Sequence, residues 1–208
     1  MATSKTGLVN QALVKLGQST ITNLDTDTST LANTARTIYD TVRRAVIMAH
    51  PWNSVIKRVK LARLSDAPAF GFSYQYQLPT DFIAIYKPED IRDDYRIELS
   101  ADSTSRVIVT DCTEFNITYK ADVEVLNLMG PGLQECISWK LAMEMAETVL
   151  GDKGKFDQMA RGYIDALSEY GFEDSIQGQT EQFIATTWVD ERIAGTLSDD
   201  VFRKIESA

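Results

Sequence analysis

Residues 31–53 read LANTARTIYDTVRRAVIMAHPWN, and this stretch decides how the first part of the chain folds. Its apolar side chains recur at steps of three and four from Leu31 to Ala49, the period of a helix with one buried face. Pro51 ends the pattern, because proline disfavours the helical conformation in the residue before it. The stretch therefore predicts a long amphipathic helix that ends at or near His50.

Three further helices are predicted around this one. Residues 8–16 have apolar side chains at helical spacing, with Ser4 as the predicted N-cap and Gly17 as the glycine that ends the helix. Residues 131–150 begin with Pro131 and are apolar on most sides, which is typical of a helix central to a bundle. Residues 156–170 continue the helical period, so the chain predicts four helices.

The middle of the chain predicts strands. Short segments rich in β-branched and aromatic residues are separated by Gly, Pro and Asp, and they lie at 52–64, 73–78, 82–86, 95–99, 106–110 and 115–120. The last two are expected to form a hairpin across 111–114. We therefore expect an α+β fold with a small antiparallel sheet or sandwich.

These elements predict three parts. Residues 1–51 and 130–175 form a four-helix bundle domain, and residues 52–129 form a β domain inserted between helices 2 and 3. Residues 176–208 form an extended C-terminal arm. Its large apolar side chains, including Phe183, Trp188 and Phe202, are too numerous for true disorder. They are expected to pack on the chain's own body or to dock on a neighbouring chain.

The distribution of charge is uneven. Residues 1–100 hold 12 basic and 10 acidic side chains, whereas residues 101–208 hold 9 basic and 20 acidic ones, which together give the net charge of −9. Opposite signs in the two halves permit head-to-tail pairing between copies or contact within one copy, and a solvated basic face is the alternative. With Phe183, Trp188 and Phe202, the basic side chains of residues 43–63 form the candidate subunit or partner interface: Arg43, Arg44, Lys57, Arg58, Lys60 and Arg63.

Composition and motifs predict no enzyme, no cofactor and no metal site. There is one His, the two Cys are separated and expected to be free thiols, and no phosphate-binding glycine loop is present. Two alternatives stay open. Paired carboxylates of a glycoside hydrolase could lie among the acids of residues 135–174, which begin with Glu135, Glu144 and Glu147, although an acidic helix face is the much simpler explanation of the same residues. The basic residues of 43–63, with Trp52, could touch a nucleic-acid backbone.

Several other classes of protein are not expected from this sequence. A general DNA coat would be basic, whereas this chain is acidic. No run of 18 apolar residues predicts a membrane span, and the first residues do not have the pattern of a secretory signal.

A set of short segments resembles a known family. These are NQALVKLG at 10–17, IYD at 38–40 followed by Arg43, HPWN at 50–53, FGFSY at 70–74 and YQLPTDF at 76–82. In this order they resemble the tailed-bacteriophage head-to-tail adaptor family of the tail tubular protein A type. The resemblance extends over about residues 5–170, and the HPWN and YQLPTDF segments are its most specific parts.

The resemblance implies a structural virion protein with no catalytic residues. Members of this family form a ring, usually a dodecamer, between the portal protein and the tail nozzle or tail tube, and genomic DNA passes through it without sequence-specific binding. It also implies a helical bundle with an inserted β domain, assembly in the host cytoplasm and residence at the head–tail junction of the virion. Because some tail accessory proteins hydrolyse cell wall, a muramidase is the alternative within this class.

Overall fold

A computed structural model describes residues 4–88 and 94–177, which form a mixed structure of α-helices and antiparallel sheets. Within these residues the four helices are α1 (Lys5–Leu16), α2 (Thr30–Ala49), α3 (Pro131–Met145) and α4 (Lys153–Gln177). The six strands are β1 (Ile56–Lys60), β2 (Tyr74–Gln77), β3 (Phe82–Pro88), β4 (Tyr95–Leu99), β5 (Arg106–Thr110) and β6 (Asn116–Ala121). The prediction of helices combined with antiparallel strands is thus confirmed.

The helix ends follow from local chemistry. The Ser4 side chain accepts a hydrogen bond from the Gly7 amide at the start of α1, and Gly17 ends that helix with a φ of 72°. Such a positive φ is easy for glycine and strained for other residues. Ser29 caps α2 in the same way as Ser4 caps α1. His50, just before Pro51, is the extended residue that ends α2.

Helix α3 is the most enclosed helix of the described structure. Leu133, Ile137 and Leu141 are buried along it, and the helix packs against α1, α2 and α4. After Met145 the helix widens into one π-helical turn, Ala146–Leu150, and Gly151 ends it with a φ of 60°. The burial of α3 on most sides agrees with its apolar sequence, while its place in a bundle stays a prediction.

Helices α3 and α4 approach each other closely at two glycines. A Cβ atom on Gly162 would lie 2.7 Å from Cε3 of the Trp139 ring, and one on Gly132 would lie 2.8 Å from Cβ of Tyr170. Both distances are shorter than a normal contact between carbon atoms, so neither position can hold a Cβ atom while the helices keep this spacing. The two helices can therefore pack at this spacing only because these positions lack side chains.

The strands form two three-stranded antiparallel sheets, one in the order β1-β6-β3 and the other in the order β2-β5-β4. The predicted hairpin of residues 106–110 and 115–120 is wrong, because β5 and β6 belong to different sheets. Two contacts explain the separation. The Asp111 carboxylate accepts hydrogen bonds from the backbone and side chain of Ser73, and Phe115 is fully buried against the rings of Tyr76 and Tyr95.

One cluster of buried apolar residues runs through the helices and both sheets. Trp52, Tyr76 and Phe115 are among its largest members, and they lie where the chain passes from the helices to the strands and between the sheets. The division into a bundle domain and an inserted β domain stays a prediction. The predicted arm overlaps α4 at 176 and 177, and its remaining residues lie outside the described part of the chain.

None of the helices in the described ranges is both long enough and apolar enough to cross a membrane.

Candidate functional site

The predicted interface residue Arg43 is not at the surface. Its side chain is 0% exposed, and its Nη2 lies 2.8 Å from Oδ1 of Asp122 and 3.6 Å from carboxylate oxygens of Asp40 and Glu124. The prediction that Arg43 offers its charge to a neighbour is therefore wrong. A guanidinium taken out of water needs opposite charges close by, and these three acids supply them.

The sequence contained a signal for the burial of Arg43. This residue lies four positions after Tyr39 and three before Val46, both of which are buried on the inner face of α2. Its burial is incompletely satisfied within the described residues, since Nε and Nη1 have no hydrogen-bond partner there. Even Nη2, although close to Asp122, does not meet it at hydrogen-bonding geometry. The contact is therefore one of charge rather than of directed bonding.

Arg44 is exposed, but its charge is also matched within the chain. Its Nε donates to Oδ2 of Asp122 at 2.7 Å, so one carboxylate contacts both Arg43 and Arg44. Asp122 comes from the segment after β6, far along the chain from α2. This ion-pair cluster ties α2 to the end of the β-strand region.

Lys57 on β1 contacts a second carboxylate. Its Nζ donates to Oδ2 of Asp81 at 2.6 Å, and the Tyr119 hydroxyl donates to Oδ1 of Asp81 at 3.0 Å. Burial alone would raise the pKa of Asp81, but these hydrogen bonds outweigh it and hold that pKa below its ordinary value. Burial and the adjacent Asp81 raise the pKa of Tyr119 to about 12.

The remaining basic side chains of residues 43–63 lie at the surface. Lys60 forms an ion pair with Glu114 at 2.7 Å, and the Arg63 guanidinium lies 3.9 Å from the centre of the Tyr74 ring. Arg58 is exposed and has no ion pair or hydrogen bond with any described residue. Because most of these charges already have partners, this segment is a weaker attractor of phosphate than its sequence indicates.

The Trp52 indole is also unavailable to bases. It is 1% exposed and donates from Nε1 to the backbone oxygen of Val46 at 3.1 Å. This burial counts against the alternative in which Trp52, together with the basic residues of 43–63, touches a nucleic-acid backbone. The basic residues after Trp52 predict a strand at the surface, but their spacing does not show that the Trp52 side chain points into the interior.

The HPWN segment joins α2 to the last turns of α4. The Asn53 amide donates to Oδ2 of Asp174 at 2.8 Å, and the Asn53 side chain donates to the Asp174 backbone oxygen. The Nε2 atom of His50 lies 3.8 Å from the same carboxylate, and a Cβ on Gly171 would lie 3.2 Å from the imidazole. We call His50, Asn53, Gly171 and Asp174 the α4 clasp. It has a structural role that the segment's sequence did not reveal.

The candidate acids of a hydrolase are not brought together in the described structure. Glu135 forms an ion pair with Lys15 at 2.8 Å, Glu144 forms one with Lys140 at 2.8 Å, and Glu147 is exposed. No group of three or more His, Cys, Asp or Glu gathers at metal-binding distance in the ranges 4–88 and 94–177.

A shallow depression of about 540 Å³ lies on the outer face of the sheet that contains β5. Its lining includes Asp102, whose pKa is lowered to about 2 by hydrogen bonds from Ser100 and Thr104. Hydrogen bonds from Ser29 likewise hold the pKa of Asp27 below its ordinary value. A general acid needs a raised pKa, and these shifts run in the opposite direction.

The Cys136 thiol is not a nucleophilic site either. It is a buried free thiol, and burial raises its pKa to about 12. A thiol with such a pKa is protonated at neutral pH and therefore unreactive.

An exposed surface on α4 was missed by the sequence analysis. Ile164, Phe172 and Ile176 are each more than 60% exposed at intervals of eight and four residues, so they lie on one side of the helix. Exposed acids accompany them on the same helix, namely Asp165, Glu169 and Glu173. The acidic spacing was visible in the sequence, but only the packing of α4 on α3 shows that these apolar residues face outwards.

The other predicted interface residues, Phe183, Trp188 and Phe202, lie outside the described residues. Comparison of the sequence with protein-family models and with curated proteins finds no match.

Proposed function

We propose that this chain is a structural subunit of a bacteriophage tail, a head-to-tail adaptor that assembles into a ring between the portal and the tail nozzle or tail tube. The observation that carries the proposal is how the HPWN and YQLPTDF segments are used. Their polar groups make contacts within the chain, such as Asn53 with Asp174 and Asp81 with Lys57 and Tyr119. This use suits segments whose role is architectural.

The surface of the described residues also favours an assembly role. The outer side of α4 combines exposed Ile164, Phe172 and Ile176 with acidic side chains, and apolar side chains set among charges are typical of subunit contacts. The acidic second half of the chain holds more acids than its ion pairs with the first half use, and this surplus suits head-to-tail contacts with exposed basic groups such as Arg58 of a neighbouring copy in a closed ring. A surplus of acid also suits a channel through which DNA slides.

We also propose that the four helices form one bundle, into which β1–β6 are inserted as a domain. The packing of α3 against the other three helices supports this arrangement, as does the position of all six strands between α2 and α3 in the chain. The proposal assigns no catalytic residue and no cofactor. As partners it names identical copies, the portal protein, the nozzle or tube protein and DNA in transit, and it places the subunit in the virion.

The test is electron microscopy and native mass spectrometry of the purified chain, alone and mixed with portal rings. We expect closed rings that bind the portal end to end, and the dodecamer is the expected size. Replacement of Ile164, Phe172 and Ile176 by Ser should reduce ring formation, while the same change at exposed Val14 serves as the matched control. A chain that stays monomeric with and without portal would contradict the proposal.

A further inference from the structure

The open edges of the two sheets differ in how they are protected against pairing. An unpaired edge strand offers its backbone groups to another chain unless charge, proline or irregularity blocks the approach. Strand β1 carries three basic residues, and β3 has two register shifts and ends at Pro88. The outer edge of β2 is covered, because Leu64 donates to Gln75 and Gln77 donates to Ala62. Among the described strands, only β4 has an open edge that combines a regular register with no excess of one charge and no proline.

The residues of β4 are suited to pairing. Its sequence, YRIEL, contains no proline or glycine, and it pairs with β5 in an unbroken register from Tyr95 to Leu99. Ile97 is 42% exposed and Leu99 is 66% exposed. Both apolar side chains alternate with charged residues on this strand, whose other edge is paired with β5. Its two charges, Arg96 and Glu98, have opposite signs, so they do not protect the edge by mutual repulsion with an identical strand.

The backbone groups that face outwards can be assigned from the pairing. Leu78 donates to Arg106, so Arg106, Ile108 and Thr110 of β5 direct their backbone groups towards β2. Ser100 donates to Ser105, so Val107 and Val109, which alternate with those three residues of β5, direct their backbone groups towards β4. Val107 bonds with Glu98, and Val109 bonds with Arg96. The backbone groups of the alternate residues of β4, namely Tyr95, Ile97 and Leu99, therefore point to the open edge.

A second copy of β4 fits this edge in one antiparallel register. With Ile97 opposite its own copy, Tyr95 lies opposite Leu99 and Arg96 lies opposite Glu98. All outward backbone groups of Tyr95, Ile97 and Leu99 are then paired. The Arg96–Glu98 pairs fall at the non-hydrogen-bonded positions, where opposed side chains are closest.

The neighbouring registers are disfavoured. A shift that keeps the same backbone groups outward moves the centre of symmetry by one residue, to Arg96 or to Glu98. Either shift places like charges directly opposite each other, which is destabilising. The sequence YRIEL is thus complementary to itself in the register centred on Ile97 and in neither of its neighbours.

We propose that β4 is a homotypic docking edge, through which two copies of this chain join their β2-β5-β4 sheets into one six-stranded sheet about a two-fold axis at Ile97. The contact is isologous, so it is distinct from the head-to-tail contacts of a ring and does not rest on the ring proposal. The contact doubles the mass of the particle that the chain otherwise forms, whether that particle is a monomer or a ring. Because a five-residue edge buries little area, the association is weak and depends on concentration.

The test uses the full-length chain and two single charge reversals, Arg96→Glu and Glu98→Arg. Each variant alone faces like charges across the axis, so self-association measured by sedimentation equilibrium should weaken by about tenfold. A mixture of the two variants restores opposite charges at both positions and should recover the association of the unmodified chain. Glu147→Arg, an equal change of charge at an exposed site in the turn that ends α3, is the matched control and should leave association unchanged.

The double variant Arg96→Glu/Glu98→Arg gives a second readout. It should pair with itself but not with the unmodified chain, because a mixed pair places like charges opposite each other. Particles of the single variants should have half the mass of the unmodified ones in native mass spectrometry, with unchanged circular dichroism. The proposal is overturned if the unmodified chain shows no such doubling, if the single reversals associate as strongly as the unmodified chain, or if mixing them does not restore association.

Discussion

Arg43 shows what one residue contributes to this fold. Its guanidinium is buried on α2, and its closest charge is the Asp122 carboxylate at 2.8 Å. A helical period places Arg43 on the inner face, yet no local rule identifies Asp122, which lies after β6. Burial of this arginine could therefore be predicted from the sequence, whereas its partner could not. The same limit applies to Trp52, because the direction of its indole depends on the Val46 carbonyl.

The first prediction concerns this ion pair. Asp122→Ala should lower the free energy of unfolding by about 3 kcal/mol, because it leaves a buried guanidinium without its closest counter-charge. Asp40→Ala is the matched control, since Asp40 is largely exposed and lies 3.6 Å away, and it should cost less than about 1 kcal/mol. Urea denaturation of the three chains measures both effects. Equal losses for the two variants would contradict this account of Arg43.

At the level of elements, helix ends were predicted more accurately than sheet partners. Ser4, Gly17 and Pro51 act on their immediate neighbours, so their roles are visible in the sequence. Strand positions were also predicted closely, with 95–99 and 106–110 matching β4 and β5. Pairing, however, depends on contacts between distant residues. The side chain of Ser73 and the burial of Phe115 separate β5 from β6, and neither contact follows from the spacing of the two strands.

The second prediction concerns the spacing of α3 and α4. Gly162→Ala should destabilise the chain by about 1–3 kcal/mol, because a methyl group there meets the Trp139 ring and the two helices must move apart. Gly154→Ala is the matched control in the same helix, since a Cβ at that position meets only the exposed Asp152 carboxylate. That variant should change stability by less than about 1 kcal/mol, because Ala favours helix while the Asp152 carboxylate that caps α4 must shift slightly to make room.

Thermal unfolding of both glycine variants gives the comparison. If Gly162→Ala proved as stable as Gly154→Ala, α3 and α4 would not be as closely packed as described.

At the scale of the whole molecule, the α4 clasp links the pH of the solution to stability. Burial lowers the pKa of His50, Asp174 raises it and Lys120 lowers it, and the net shift is downward. The folded chain therefore binds a proton at His50 less readily than the unfolded chain does. Stability from this group is complete above the unfolded pKa, about 6.5. It is lost as the pH falls from there to the folded pKa.

The third prediction follows from this shift. Because the chain contains one His, the melting temperature should fall between pH 7 and pH 5.5, and His50→Gln should flatten that part of the profile. Asp81→Asn is the control. Because the pKa of Asp81 is lowered, the stability that this carboxylate contributes changes with pH only below its unfolded pKa of 3.8, so the variant should keep the slope between pH 7 and pH 5.5. An unchanged slope in His50→Gln would show that another group is responsible.

The buried thiol of Cys136 has a practical consequence. It lies on the inner side of α3, where burial suppresses its ionisation, while Cys112 is only half-buried. An alkylating reagent should therefore reach Cys136 only when the helices separate. Timed labelling of Cys136 would give the rate at which the interior opens, without any engineered probe.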